Sequence, residues 1–551
     1  VKIIKFSGKL LGIKLIWEIT NQLHCLSTTK YNYSYVRLIK FNKNIEENPK
    51  IIDNFRIKIN SPLLKSTRMA GIVNTSNSIN SNADGKNYTL PLIILTTLFF
   101  MWGFITCMND ILMPYLQGIF KLTAFEVGFI QTAFFGAYFF VSLAYFLIST
   151  NLGDPLAKIG YQNGVILGLV TAGIGCLLFY PAAEAKLFWV FLVALFVLAA
   201  GITILQMAAN PYVSLLGSSE SASSRLNMTQ AFNSLGTTIA PIIGAKLIFE
   251  SIGGKEHMTA DNVKAPYLAL AGVLFLLAVV FALSKLPKFT GEKIEKGLGV
   301  LKFSHLTYGV LGIFMYVGGE VAIGSYLVKY FDGLMGFNEA TAANFVSFYW
   351  GGAMVGRFIG AISLTERKPE QKLLFQAVIT IIAVAAVYLI TKDVTISTTV
   401  LALIVGNIVA FQIGKSAPAN TLGIFASIVI CLLITTVFAS GSVAMWAVLA
   451  IGLFNSIMFP TIFTLAIRDL GKYTSQGSSL LVMAIVGGAI ATPLMGALVE
   501  AVGYQKAFLL PIVSYLYISF YGFKGYRVKK NSTSSEESTS IALDGSPALQ
   551  V

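Results

Sequence analysis

The pattern of hydrophobic and polar positions changes character once, near Leu90. Before it, residues 1–88 mix Asn, Lys, Ser and Ile without a sustained apolar block, which predicts a polar, disordered extension. After it, apolar runs of membrane-spanning length follow one another, separated by short polar breaks. A helix needs about 20 residues to cross roughly 30 Å of hydrocarbon. The runs predict fourteen such helices, at 91–116, 127–149, 162–180, 187–214, 230–250, 267–285, 305–330, 341–364, 373–391, 397–414, 420–438, 442–465, 478–499 and 505–523. Helices are the only form such a chain can take in lipid, because each backbone hydrogen bond must be made inside its own segment. The expected fold class is therefore an all-α polytopic membrane protein.

Weak internal symmetry subdivides the train. Asn210-Pro211 ends one run, a polar link with Arg225 follows, and the next run contains Pro241 and Gly244. Phe459-Pro460, Arg468, Pro493 and Gly496 repeat that order about 250 residues later. Two related bundles would give this echo. The expected segments are a first bundle at 89–285, a basic linker at 286–304, a second bundle at 305–523 and a tail at 524–551.

Composition agrees with the pattern. Of 551 residues, 55% are hydrophobic and 12% charged, and the mean hydropathy is +0.72. The net charge of +14 does not point to nucleic acid, because the basic residues are spread over tails and short connections. They concentrate on alternate connections, among them Lys158, Arg225, Lys285, Lys302, Arg367, Lys372, Lys415 and Arg468. That bias places both termini in the cytoplasm. Four scattered cysteines and three scattered histidines offer no metal site or disulfide framework. No nucleotide loop, haem motif or HExxH motif is present, so neither an enzyme nor a cofactor is expected.

The informative residues are the polar ones inside the runs: Asn109, Asp110, Gln131, Gln206, Asn210, Gln230 and Asn233 in the first half, and Glu320, Asn344, Arg357, Asn407, Gln412 and Asn455 in the second. A charge at the bilayer centre costs about 2.5–3.5 kcal/mol on insertion scales, so such groups face a watery cavity or one another. Amide side chains donate and accept at one terminus, as sugar hydroxyls do. Aromatic faces at Phe134, Phe135, Tyr138, Tyr145, Tyr326 or Trp350 could cover a sugar ring. A desolvated carboxyl such as Asp110 can exchange a proton or hold a sodium ion. Gln206 and Asn210 share a helix face just before Pro211, which deprives a carbonyl one turn earlier of its usual donor.

The motifs WGFITCMNDILMPYLQ, QMAANPY, FNSLG and SIMFPTIFTLAIRDLG resemble the fucose-proton symporter family of the major facilitator superfamily, with the closer likeness to its bacterial glucose/galactose transporters. The resemblance runs from about Asn87 to Gly522. It implies the major facilitator fold of two six-helix bundles around a central sugar cavity. It implies alternating access in a bacterial inner membrane, a monosaccharide substrate and a monomer surrounded by lipid. Asp110 takes the place of one family coupling acid, Gln206 replaces the other, and Gln230 and Asn233 match polar positions of the fifth helix.

The expectation is cation-coupled symport of a hexose such as glucose or galactose, with H+ or Na+ as coupling ion. Asp110 carries the coupling, with Glu320 as a second candidate. Asn109, Gln131, Gln206, Asn210, Gln230, Asn233 and Asn344 bind substrate. Glu320 is either a pathway acid or one half of a structural ion pair with Arg357. The open alternatives are an uncoupled facilitator, a symporter for L-fucose or another sugar, and a transporter-like sensor. Fourteen helices exceed the twelve that the resemblance implies, and the surplus pair falls near 366–415.

Overall fold

A computed structural model describes residues 88–122, 124–248, 259–289, 297–337 and 339–528. The expected polar extension up to residue 87 and the tail from 529 lie outside the described residues. The long helices of the first half are α1 (Thr89–Phe120), α2 (Ala124–Leu152), α3 (Tyr161–Leu177), α4 (Phe188–Leu215), α5 (Ala222–Ile248) and α6 (Lys264–Leu283). Those of the second half are α7 (Ser304–Met335), α8 (Glu339–Ser363), α9 (Pro369–Thr391), α10 (Val394–Ile413), α11 (Pro418–Phe438), α12 (Gly441–Asn455), α13 (Met458–Ala466), α14 (Thr474–Met483), α15 (Gly487–Val502) and α16 (Leu510–Phe520). The α12–α13 and α14–α15 pairs each act as one interrupted span, and among the described residues thirteen spans are long and apolar enough to cross a membrane. Helix α5 occupies the position expected for the span at 230–250.

The same packing scheme occurs twice. In the first half α1 packs on α5, α3 on α4 and α6, and α2 on α4. In the second, α7 packs on α15, α11 on α12 and α16, and α8 on α12. The repeat explains the echo in the sequence, since Pro211 and Pro460 occupy matching helices. Without a hydrophobic drive between helices in lipid, close backbone approach supplies the attraction. Gly175 and Gly201 illustrate it: a Cβ on either would collide with the backbone of Leu198 or Ala172, so α3 and α4 touch main chain to main chain.

The surplus pair, α9 and α10, sits on the flank of α8. Pro369 opens α9 at its first turn, and the Asp393 carboxylate caps α10 by accepting from Thr395 N (2.6 Å) and Ile396 N (3.1 Å). Helix α9 buries only Gln376 and Thr380, and leaves Leu373, Ile381, Ile382 and Ile390 exposed as a lipid-facing surface. Gln376 bonds Ser363 Oγ at the end of α8 (2.8 Å). Neither α9 nor α10 lines the space between the halves.

The halves meet along two seams, α5 against α8 and α13, and α2 and α4 against α14. At the end carrying the basic connections the seams are tied by hydrogen bonds. Ser223 and Thr464 share one of 2.6 Å, and Ser224 Oγ donates to Ala361 O (2.6 Å). Tyr161 and Ser475 share another of 3.2 Å. The basic end is thereby sealed.

Candidate functional site

Above the seal lies a cavity of about 160 Å3 to which both halves contribute. Trp102 of α1, Gln206 of α4 and Gln230 of α5 face Glu320 of α7, Arg357 of α8 and Phe459 of α13 across it. The amides offer donor and acceptor together, the carboxylate accepts, the guanidinium donates, and the indole and phenyl rings supply flat apolar faces. A neutral solute with several hydroxyls and a nonpolar face matches that set.

Glu320 is held from three directions. Tyr316, one turn earlier on α7, donates its hydroxyl to Glu320 Oε1 at 2.6 Å. The Tyr349 hydroxyl donates to the Glu320 carbonyl (3.2 Å), accepts from Asn455 Nδ2 (3.0 Å), and Tyr515 donates to Asn455 Oδ1 (2.8 Å). Arg357 Nη2 stands 3.8 Å from Glu320 Oε1, with both side chains largely buried. The same guanidinium donates through Nε to Ser456 O (3.2 Å) and through Nη1 to Ser234 Oγ on α5. Arg357 thus reaches from the second half into the first.

Two prolines make this geometry possible. Pro211 has no N–H for the carbonyl of Met207, and Pro460 has none for that of Ser456. Each freed acceptor is taken by a side chain: Ser478 Oγ of α14 donates to Met207 O at 3.0 Å, and Arg357 to Ser456 O. The first contact straps α4 to the opposite half. The second fixes the cavity's guanidinium against the break between α12 and α13.

Of the residues singled out in the sequence, the cavity brings together Gln206, Gln230, Glu320 and Arg357. Asn233 turns aside, donating its amide to Phe99 O (2.9 Å) and so fastening α5 to α1. Asn210 is fully buried below the cavity rather than in its wall. The side chains of Asn109 and Asp110 in α1, Gln131 in α2 and Asn344 in α8 lie outside the described residues. Of the other polar positions, Asn455 braces Tyr349 and Tyr515, and Asn407 of α10 donates to Leu453 O (3.4 Å). Among the proposed aromatic platforms, Tyr138 interacts with Gln206 and Trp102, whereas Trp350 is exposed. Sequence reasoning missed Trp102, Tyr316 and Phe459, because one aromatic among 40 phenylalanines, 23 tyrosines and 5 tryptophans carries no periodic mark. Tyr316 alone had a signal, its four-residue spacing from Glu320.

The chain has clear relatives. The family model described as Major Facilitator Superfamily matches residues 93–422. A glucose/galactose transporter of Brucella abortus is 44% identical over 465 residues, covering 83% of this chain and 99% of the relative. A putative glucose/galactose transporter of Helicobacter pylori is 41% identical, covering 81% and 98%. Among solved structures, a Major Facilitator Superfamily transporter in the outward conformation, FucP, superposes with a TM-score of 0.65 at 30% identity, covering 80% of this chain and all of that one.

Proposed function

This chain belongs to the Major Facilitator Superfamily, and from that premise we propose that it carries a hexose, glucose or galactose, across the bacterial inner membrane by alternating access, coupled to a co-transported cation. It is a multi-pass transporter rather than an enzyme. The observation that carries the sugar reading is the opposition of Gln206 and Gln230 from one half to Glu320 and Arg357 from the other within a single cavity. A sugar bound there touches both halves at once, so its binding energy can be spent on moving one against the other. The names of the curated relatives support glucose or galactose over other sugars.

Coupling is assigned to Asp110, with a proton as the ion and the basic end facing the cytoplasm. Gln206 cannot titrate, so it serves the sugar and leaves Asp110 as the first half's exchangeable charge. One charge moved through 100 mV gains about 2.3 kcal/mol, about fiftyfold in concentration. The test is uptake of radiolabelled glucose and galactose into vesicles under separately imposed proton and sodium gradients. Wild type is expected to accumulate sugar with the proton gradient. Asp110→Asn is expected to exchange sugar but not concentrate it. Full gradient-driven accumulation by Asp110→Asn removes the residue from coupling. Equal wild-type uptake with and without either gradient makes the protein a facilitator.

A further inference from the structure

One helical turn below the cavity, on the side of the basic end, lies a layer of polar side chains that the cavity does not use. Asn210 follows Gln206 by four residues on α4, and Asn227 precedes Gln230 by three on α5. Thr461 comes directly after the cavity-lining Pro460, and Gln476 stands two residues before the Ser478 that bonds Met207 of α4. Four helices, two from each half, therefore contribute to it. All four residues are fully buried. Both side-chain amide atoms of Asn210 and of Gln476, the Asn227 Oδ1 and the Thr461 Oγ1 have no hydrogen-bond partner among the described residues. Immediately beneath, the seal formed by Ser223–Thr464 and Tyr161–Ser475 closes the basic end.

Buried polar groups are nearly always paired, so a set of unpaired ones at the contact between two moving bodies calls for a reason. Structural glue would be bonded in the conformation it holds together. These side chains instead carry amides and a hydroxyl, the chemistry of the cavity wall above, and they lie on the line from the cavity to the basic end. We propose that Asn210, Asn227, Thr461 and Gln476 form a second, inner sugar station, shut between the halves here and occupied by the hexose once the basic end opens. The station lowers the barrier to release twice over. Its groups gain partners as the seal parts, and the sugar leaving Gln206 and Gln230 meets matching donors and acceptors one turn on. The proposal rests on the sugar reading above.

Two variants test it, Gln476→Met and Asn227→Leu, each close in volume to the original residue. Glucose affinity is measured on purified protein, and glucose exchange in proteoliposomes. Wild type must first bind and exchange glucose; if it does neither, the sugar reading itself fails. With that in hand, the variants are expected to keep affinity within about twofold and to lose exchange at least tenfold. Variants that exchange at the wild-type rate or faster overturn the inner station. Where a variant does not fold, Thr461→Cys, in a background stripped of the four native cysteines, supplies the answer. A membrane-impermeant thiol reagent applied from the basic end is expected to block exchange. Glucose on that side is expected to slow the modification at least fivefold, and mannitol is not. Equal rates with glucose and mannitol show that no sugar lodges there and overturn the proposal.

Discussion

Replacing Arg357 with Met would leave the Glu320 carboxylate in the cavity wall with Tyr316 as its only side-chain donor among the described residues. At 3.8 Å and an effective dielectric of about 20, the two charges attract by about 4 kcal/mol. Desolvation offsets part of this while both are present, but removing one partner from a buried pair typically costs about 3–5 kcal/mol. Arg357→Met is therefore expected to destabilise the protein by about 3 kcal/mol. Glu320→Gln keeps an acceptor for Tyr316, and combining it with Arg357→Met removes the stranded charge. The double variant should then be more stable than Arg357→Met alone, with a coupling energy of about 2 kcal/mol. Loss of the Ser456 and Ser234 bonds occurs in both arms of the cycle and cancels. The assay is denaturant unfolding of the purified protein in detergent for the four members. Additivity within about 0.5 kcal/mol would refute the pair as an electrostatic unit.

Two further outcomes follow from the connections. Asp154, between α2 and α3, caps the short helix Pro155–Ile159 by accepting from Leu156 N (2.9 Å) and is bonded by Tyr145. Burial pushes its carboxyl above the ordinary carboxylate value of 3.8. Its stabilising contribution is then complete below 3.8 and lost as pH rises through the raised value. Asp154→Asn, which keeps the accepting oxygen, is expected to flatten the fall of unfolding temperature as pH rises above 3.8, and an unchanged slope counts against it. The end of α8 and the start of α11 meet around one cavity, where Thr365, Ser416 and Pro418 share a lining. A chain lacking residues 366–415, rejoined by a short glycine linker, is expected to retain at least half of the sugar uptake per molecule; complete loss would show that α9 and α10 do more than pack on the flank of α8, α11 and α12.

The membrane helices were legible because lipid forces one code, a long apolar run for each span. That code also hides things. Helix α5 was read as one more apolar run at 230–250, and the run itself does not say that Gln230 borders the cavity. Gln206 and Gln230 stood out against apolar neighbours, and the cavity gathers both. Asn233 and Asn210 stood out equally, yet one fastens α5 to α1 and the other sits a turn below the cavity. Sequence spacing gives the turn of a helix but not which neighbour that turn meets. Arg357 was visible as a buried charge, whereas its reach to Ser234 depends on the crossing of α5 and α8, and no local pattern records a crossing.

In a membrane helix that keeps every internal hydrogen bond, each main-chain carbonyl already serves an N–H one turn on and has only its second lone pair to offer a neighbour. By withholding one N–H, Pro211 turns the carbonyl of Met207 into the anchor for Ser478, and the grip between the halves at that point is written in main chain rather than in a side chain. The residue at 207 can therefore be exchanged for another of similar bulk while the anchor persists. Any replacement of the imino acid at 211 restores an N–H that competes with Ser478 for that carbonyl.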